Sequence, residues 1–294
     1  MSVMRFPMAK HDYPRHPHQR PRRRPRVDDR LWRDAAQGGG AIRTRWGDKN
    51  KTNAEIFSGN SLRHRYLNPH WWALRLNSAL YSKISPRMLM NFIGWTSRWS
   101  PEPEVLELRA MCDEHRAAID IGAAYGLYSW HLQNLCQRCI AFEANPDSAK
   151  RLRNALSKTE VFACALSERS GNAILKIPRQ GNLKLTGHAT IEPQAEDRFT
   201  THEKVSVDVR TLDSFEFTNI GFIKIDVEGH ELSVLRGAEQ TIRSSKPVLL
   251  VELNNTSEMN IDKHQVVIWL RERGYERWYR RTSPQNFIFV PEKP

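Results

Sequence analysis

From residue 117 onward, short apolar runs alternate with segments of helical spacing, and no other feature restricts the fold of this chain as strongly. The apolar runs lie at 117–121, 139–142, 161–166, 222–225 and 247–253. Apolar residues recur at helical spacing over 127–135, 147–156 and 231–242. Because strands that alternate with helices build parallel sheets, the pattern predicts a doubly wound α/β fold with helices on both faces.

The C-terminal residues predict a hairpin. A helical pattern over 263–273 is followed by apolar stretches at 275–280 and 286–290, with Pro284 in the turn between them. We expect these stretches to add an antiparallel strand near the sheet edge. Further upstream, a strand pair at 173–177 and 205–209 flanks a polar insertion from 178 to 203. Insertions of this length in compact domains are often functional loops.

A glycine turn follows the first apolar run. Gly122 and Gly126 would let the backbone turn sharply and would leave room for a ligand to approach the main chain. A dinucleotide fingerprint would also need glycine at 124 and usually at 127, where Ala124 and Leu127 stand. There is also no phosphate-binding loop motif in the sequence. The turn therefore predicts a nucleoside site rather than an NAD site.

Glu143 comes at the end of the second apolar run, 21 residues after Gly122. A carboxylate there can accept hydrogen bonds from both hydroxyls of a ribose. The alternative is a simple helix start, because Asn145 and Pro146 follow directly. Its position relative to the glycine turn favours the ribose interpretation.

Three ionisable residues, Asp226, Glu228 and His230, lie between the run at 222–225 and the helical pattern that begins at residue 231. In open α/β sheets, ligands bind just beyond the carboxyl ends of the strands, so these side chains are expected to reach a site. Capping of the following helix is the alternative for the two carboxylates.

These motifs together resemble a known family. In chain order they read IDIGAAYGLYS, AFEANP, ACALSERSGNA, TLDSF, FIKIDVEGHELSVLRGA and PVLLVEL, over roughly residues 105–255. This combination resembles the FkbM family of S-adenosylmethionine-dependent methyltransferases. The resemblance implies a class I methyltransferase fold, a Rossmann-like seven-stranded mixed sheet whose last strand is antiparallel. One departure is Ala124, where the family commonly has Asn.

The resemblance also implies roles for individual residues. It places Asp120, Gly122, Ala123, Tyr125 and Gly126 around the methionine part of S-adenosylmethionine, Glu143 on the ribose, Cys164 beside the adenine, and Asp226 at the methionine part or the reacting centre. The implied activity is O-methylation of a hydroxyl on a sugar, a glycan, a glycolipid or a related metabolite.

Removal of a proton from an alkyl hydroxyl is helped by a base. The candidates are Asp226, Glu228 and His230, of which His230 or Glu228 is favoured, while Asp226 would orient the cofactor or stabilise positive charge. For His230 the alternative is a solvent-facing residue at a helix start. No metal site is expected, since the CxxC formed by Cys136 and Cys139 lacks a second pair of ligands.

The N-terminal part divides into two zones ahead of a predicted methyltransferase domain at 105–294. Residues 1–40 form a basic tail that we expect to be disordered, since its first 30 residues have eight Arg and one Lys against three Asp. Residues 41–104 form a Trp-rich helical extension in which Trp72, Leu76, Leu80 and Ile84 recur at helical spacing. Packing within the protein is the favoured role of this stripe, and peripheral membrane contact is the alternative.

Two other functions fit the sequence less well. The basic tail could serve an RNA methyltransferase, and Ala124 could mark a nucleoside-binding protein that kept the fold without catalysis. No apolar run approaches the roughly 18 residues of a membrane span. We therefore expect a cytoplasmic enzyme that acts on a small molecule or glycan.

Overall fold

A computed structural model describes residues 85–100, 102–180, 183–192, 201–253, 261–275, 277–280 and 285–292. The basic tail, the stripe from Trp72 to Ile84 and the turn at Pro284 lie outside these residues. Within the described ranges, the longest helix has 11 residues, and no helix is long and apolar enough to cross a bilayer.

The described chain contains eleven strands and seven α-helices. In chain order the strands are β1 Ala117–Ile121, β2 Arg138–Phe142, β3 Thr159–Phe162, β4 Ala165–Leu166, β5 Gly171–Gln180, β6 Leu183–Lys184, β7 Thr201–Arg210, β8 Ile220–Ile225, β9 Val248–Glu252, β10 Arg277–Arg280 and β11 Asn286–Val290. The helices are α1 Pro86–Thr96, α2 Leu108–Met111, α3 Leu127–Leu135, α4 Pro146–Ala155, α5 Glu231–Arg236, α6 Glu239–Ser245 and α7 Gln265–Arg271.

The main sheet has seven strands in the order β10-β11-β9-β8-β1-β2-β3. Pairing is parallel from β9 through β8, β1 and β2 to β3, whereas β11 runs antiparallel to both of its neighbours. Because β1 and β8 are buried along their whole length, their sequences are nearly continuous apolar runs. This is the class I methyltransferase fold, and the predicted antiparallel last strand is confirmed.

Helices cover both faces of this sheet. One core cluster joins the sheet to α5, α6 and α7, and the other joins it to α1, α3 and α4. The start of α4 is set locally, since the Asn145 side chain accepts a hydrogen bond from the Asp147 N–H and Pro146 occupies the first turn.

Two sequence predictions about element boundaries are wrong. The run at 161–166 is not one strand, because β3 pairs in the main sheet and β4 pairs with β7 in a second sheet. The helix predicted over 231–242 breaks between α5 and α6. At the break, a Cβ on Gly237 would lie 2.0 Å from the Ser167 carbonyl oxygen, so this glycine allows a close backbone approach.

The second sheet is built largely by the two strands that flank the predicted insertion. Its four strands have the order β4-β7-β5-β6, and the long antiparallel pair β5 and β7 confirms the strand pair expected at 173–177 and 205–209. The segment after β6 includes a 3-10 turn at Thr186–His188 and returns to β5 through Thr190, which bridges Lys176. This arrangement brings part of the insertion over the carboxyl end of the main sheet.

Candidate active site

A pocket lies at the carboxyl ends of β1, β2 and β8 and is roofed by residues of the insertion. Six of the residues singled out from the sequence line it, namely Gly122, Glu143, Cys164, Asp226, Glu228 and His230. Asp120, Ala123, Tyr125 and Gly126 are not among the lining residues. Residues of the insertion, including Thr186, Gly187 and Thr190, complete the wall.

The glycine turn after β1 has little room for side chains. Gly122 has φ +77°, and a Cβ there would lie 1.8 Å from the Asp226 carbonyl oxygen. Gly126 has φ +83°, and its Cβ would lie 2.6 Å from Leu152 Cδ2. Both positions therefore require glycine, for conformation and for space. The turn after β1 and the turn after β8 are consequently in direct contact.

Glu143 holds the glycine turn in place. Its two carboxylate oxygens accept hydrogen bonds from the Ala124 N–H and the Asn145 N–H, each at 2.8 Å. Burial raises the pKa of Glu143 to about 7, although both N–H groups favour the ionised form. Ala124 itself has φ +47°, a left-handed conformation in which the Asn common in the family is better tolerated.

Asp120 lies behind the turn rather than in the pocket. It is fully buried, and its Oδ2 atom accepts a hydrogen bond from Ser129 Oγ at 2.6 Å. Tyr125 packs against the insertion, since its ring lies 3.7 Å from the position that a Cβ on Gly187 would occupy. Asp120 therefore supports the turn from below, and Tyr125 supports the roof of the pocket.

Lys224 links the two turns. Its ammonium donates to the Asp226 carboxylate at 2.9 Å and to the Gly122 carbonyl at 3.1 Å, and it lies 3.7 Å from Asp120. Burial alone would lower the pKa of Lys224, but Asp226 and Asp120 together raise it above its ordinary value. Lys224 is therefore a structural residue that holds the two strand-end carboxylates, Asp226 and Asp120, against the glycine turn.

Three carboxylates, those of Asp226, Glu228 and Glu252, have oxygens within 4.8 Å of one another. Burial raises the pKa of Asp226, but the positive charge of Lys224 outweighs this effect, and the net pKa is lowered. Burial and the neighbouring Asp226 raise the pKa of Glu252 well above its ordinary value. Asp226 is therefore favoured as the ionised member of this carboxyl pair and Glu252 as the protonated one.

The insertion meets the turn after β8 through two histidines. His188 Nδ1 lies 3.0 Å from Glu228 Oε1, and Thr190 Oγ1 donates to the Glu228 carbonyl at 3.1 Å. The two ring nitrogens of His230 lie 2.9 Å from Ser167 Oγ and from Glu192 Oε2. The His230 ring is therefore held between two protein groups.

Glu228 has an unusual backbone. Its φ of +54° places a glutamate in the left-handed region, at a cost of roughly 1–2 kcal/mol. Strain of this kind persists where the surrounding structure enforces it, often at functional sites. Both Glu228 and the similarly strained Ala124 line the pocket.

Sequence reasoning gave no role to three polar residues of this region, namely Ser167, His188 and Glu192. His188 lies in the polar insertion at 178–203 that was expected to be a functional loop, but nothing in the sequence paired it with Glu228. The pairing depends on how the insertion folds back over the sheet, a contact between residues 40 positions apart.

A family model for the methyltransferase FkbM domain matches residues 120–277, just over half of the chain. The chain belongs to the FkbM methyltransferase family. Methyltransferase sdnD of Sordaria araneosa is 26% identical over 211 residues, which cover 58% of this chain and 79% of that protein. As a family member, the protein is an S-adenosylmethionine-dependent methyltransferase.

Solved structures provide two further similarities. The methyltransferase FkbM from Methylobacillus flagellatus KT superposes with a TM-score of 0.42 at 17% identity, covering 76% of this chain and 62% of that one. A SAM-dependent methyltransferase from Aquifex aeolicus gives a TM-score of 0.34 at 16% identity, covering 70% of this chain and 97% of that one. This FkbM-family chain thus spans less than two thirds of the Methylobacillus protein.

The pocket of this FkbM-family protein suits its cofactor. The Gly122 turn brings main chain directly to the pocket wall, and Glu143 supplies a carboxylate beside it. Cys164 offers a small apolar side chain further along the wall. The replacement of Asn by Ala124 leaves the backbone contact to Glu143 intact, so the turn keeps its shape.

Proposed function

We propose that this FkbM-family enzyme methylates a hydroxyl group of a sugar, as part of a glycan, a glycolipid or a related metabolite. The observation that most strongly supports this proposal is the contact between His188 Nδ1 and Oε1 of the pocket residue Glu228, which lie 3.0 Å apart. A histidine whose ring is oriented by a carboxylate is a common form of general base. An alkyl hydroxyl is the type of acceptor that benefits from such a base.

The negative charge of the pocket beside the turn after β8, where the methyl acceptor would bind, supports a neutral substrate. Asp226 and Glu228 line the pocket there, Glu192 contacts the lining residue His230, and Lys224 is already engaged with Asp226. A carboxylate or phosphate acceptor would meet like charges, whose repulsion disfavours binding. Hydroxyl-rich molecules can instead exchange hydrogen bonds with the carboxylate and imidazole groups. The same argument disfavours an RNA backbone at the reacting centre.

We assign the base to His188, paired with Glu228. When the Nδ1 proton is donated to Glu228, the Nε2 atom carries the lone pair that accepts the hydroxyl proton. Glu228 then stabilises the resulting imidazolium. The neighbours of His188, Gly187 and Ala189, line the pocket, and the His188 side chain itself lies exposed at the pocket edge, beside Glu228.

The other predicted site residues receive supporting roles in this proposal. His230 positions the turn after β8, because Ser167 and Glu192 hold both of its ring nitrogens. Asp226, fixed by Lys224, faces the methionine part of the cofactor. Glu143 accepts from the ribose hydroxyls, and Cys164 packs beside the adenine. Bound S-adenosylmethionine supplies an activated methyl group, which the acceptor oxygen takes in an in-line displacement.

An acceptor search with the purified enzyme tests the proposed function. A strain lacking the gene supplies unmethylated acceptor, and its extract is separated into glycan, glycolipid, RNA and protein fractions. With methyl-labelled S-adenosylmethionine, we expect label in the glycan or glycolipid fraction as an alkali-stable methyl ether on a sugar. Label confined to RNA, to an amine or to an alkali-labile ester would reject the proposal.

A further inference from the structure

The outward surface of α1 and the turn that follows it is apolar and aromatic. Met88, Phe92, Trp95 and Trp99 are 66, 38, 54 and 37% exposed, and their spacing places them along one side of the helix. We call these four side chains the α1 ridge. Isolated exposed apolar residues are ordinary, but a contiguous exposed group marks an interaction site.

The α1 ridge is presented by a firmly packed helix. On the opposite side of α1, Leu89, Met90 and Ile93 are buried against the domain. A Cβ on Gly94 would lie 2.4 Å from the Trp130 ring, and Trp130 Nε1 donates to Asn91 at 3.0 Å. The orientation of the ridge is therefore fixed by the fold.

The ridge is flanked by positive charge. Arg98 lies 5.0 Å from the ring centroids of both Trp95 and Trp99, and Arg87 is exposed on the same helix. Residues 85–100 contain no Asp or Glu. Tryptophan rings beside arginines are typical of segments that lie in the headgroup region of a bilayer, since both side chains combine apolar and polar parts.

We propose that the α1 ridge docks on an anionic lipid surface. The four ridge side chains would enter the boundary between headgroups and acyl chains, and Arg87 and Arg98 would contact lipid phosphates. The basic flanks complement the negative charge of such a surface.

The position of α1 connects this surface to the pocket. Met90, on the inner side of α1, lies 3.4 Å from the position of a Cβ on Gly126 in the glycine turn. Docking through α1 would therefore hold the cofactor end of the sheet near the lipid headgroups. The proposal concerns binding to lipid and does not depend on the identity of the methyl acceptor.

Vesicle co-sedimentation of the full chain tests the proposal. Binding is measured to phosphatidylcholine vesicles and to vesicles containing phosphatidylglycerol, for the parent protein and for the double variant Trp95→Ser/Trp99→Ser. We expect preference for the anionic vesicles and a loss of at least about tenfold in the variant, because two half-buried indoles are removed. Ile268→Ser is the matched control, since Ile268 is 44% exposed on α7 at the other face of the sheet.

When the double variant folds, three results would overturn the proposal. The first is unchanged vesicle binding in the double variant, which would assign any binding to other parts of the chain. The second is a parent dimer that becomes monomeric in the variant, which would make the ridge a contact between copies. The third is a large fall in melting temperature, which would mean that the ridge is covered within the chain. If the double variant does not fold, quenching of parent tryptophan fluorescence by brominated lipids replaces it, and absence of quenching contradicts the proposal.

Discussion

His188 Nδ1 lies 3.0 Å from Glu228 Oε1, and this contact joins the insertion to the turn after β8. The insertion thereby supplies the roof of the pocket and the histidine of the proposed base. Glu228 meets it from a strained backbone position with φ +54°. This part of the pocket is thus built from two segments that are far apart in sequence.

Lys224 should be essential for stability because it neutralises buried carboxylates. Lys224→Met would leave Asp120 and Asp226 without their cation, and removal of one partner of a buried pair costs about 3–5 kcal/mol. Lys184→Met is the control, because Lys184 forms an exposed pair with Glu203 that is worth less than about 1 kcal/mol. Urea unfolding measures both losses. Equal losses in the two variants would contradict the assigned role.

Cofactor affinity should depend on the ionisation of Glu143. Burial raises its pKa to about 7 in the free protein, and ribose hydroxyls prefer the ionised carboxylate as acceptor. The affinity for S-adenosylmethionine should therefore rise with pH up to about 7 and then level off. Below pH 7, the affinity should fall by up to about tenfold for each pH unit. Calorimetry of S-adenosylmethionine binding between pH 5.5 and 8.5 measures this dependence and the protons released.

Glu143→Gln should weaken binding by about tenfold or more and flatten the pH dependence. Glu231→Gln is the matched control. Burial also raises the pKa of Glu231 to about 7, but this residue accepts from the Gly229 N–H and does not line the pocket. A pH dependence that survives in Glu143→Gln would reject the ribose assignment.

Ala124 should be a source of strain. Ala124→Gly removes the Cβ from a residue with φ +47°, and we expect a gain in unfolding free energy of about 1 kcal/mol. Ala173→Gly, in β5, should instead lose roughly 0.5–1 kcal/mol, as glycine does in a strand. Denaturant unfolding of both variants gives the sign directly. A loss at position 124 would mean that the left-handed conformation is not costly there.

Methyl transfer should not require a divalent metal. Although three carboxylates approach one another, Lys224 neutralises Asp226, and the raised pKa of Glu252 keeps that group protonated near neutral pH. Metal ligation requires deprotonated carboxylates. Enzyme dialysed against EDTA should keep its full rate in the labelled-methyl assay. Loss of activity that Mg²⁺ restores would establish a metal site at these residues.

Much of the fold follows from local sequence signals. The buried strands β1 and β8 have continuous apolar runs, and α3 begins and ends where its apolar spacing does. The hairpin of β10 and β11 was also predictable, since two apolar stretches with a turn between them have few alternatives. By contrast, the break between β3 and β4 falls in Ala163-Cys164, which contains no Gly or Pro to mark it.

Only part of the site could be predicted from the sequence, because some of its residues follow strands of the main sheet and others come from the insertion. The glycine turn, Glu143 and Asp226 follow directly after strands, so the parallel sheet brings them to one edge. Glu252 likewise ends strand β9, whereas His188 and Glu192 reach this region through long-range packing of the insertion, which leaves no local pattern.

The rate of methyl transfer in a single turnover, at saturating S-adenosylmethionine, tests the assigned base most directly. His188→Ala should lower this rate by about 10²–10⁴-fold and leave cofactor affinity unchanged. His115→Ala, which disrupts an exposed histidine–glutamate pair with Glu114 outside the pocket, should have no effect. An unchanged rate in His188→Ala would contradict the proposed mechanism. A lower rate would also contradict it if weaker binding of S-adenosylmethionine accounts for the loss.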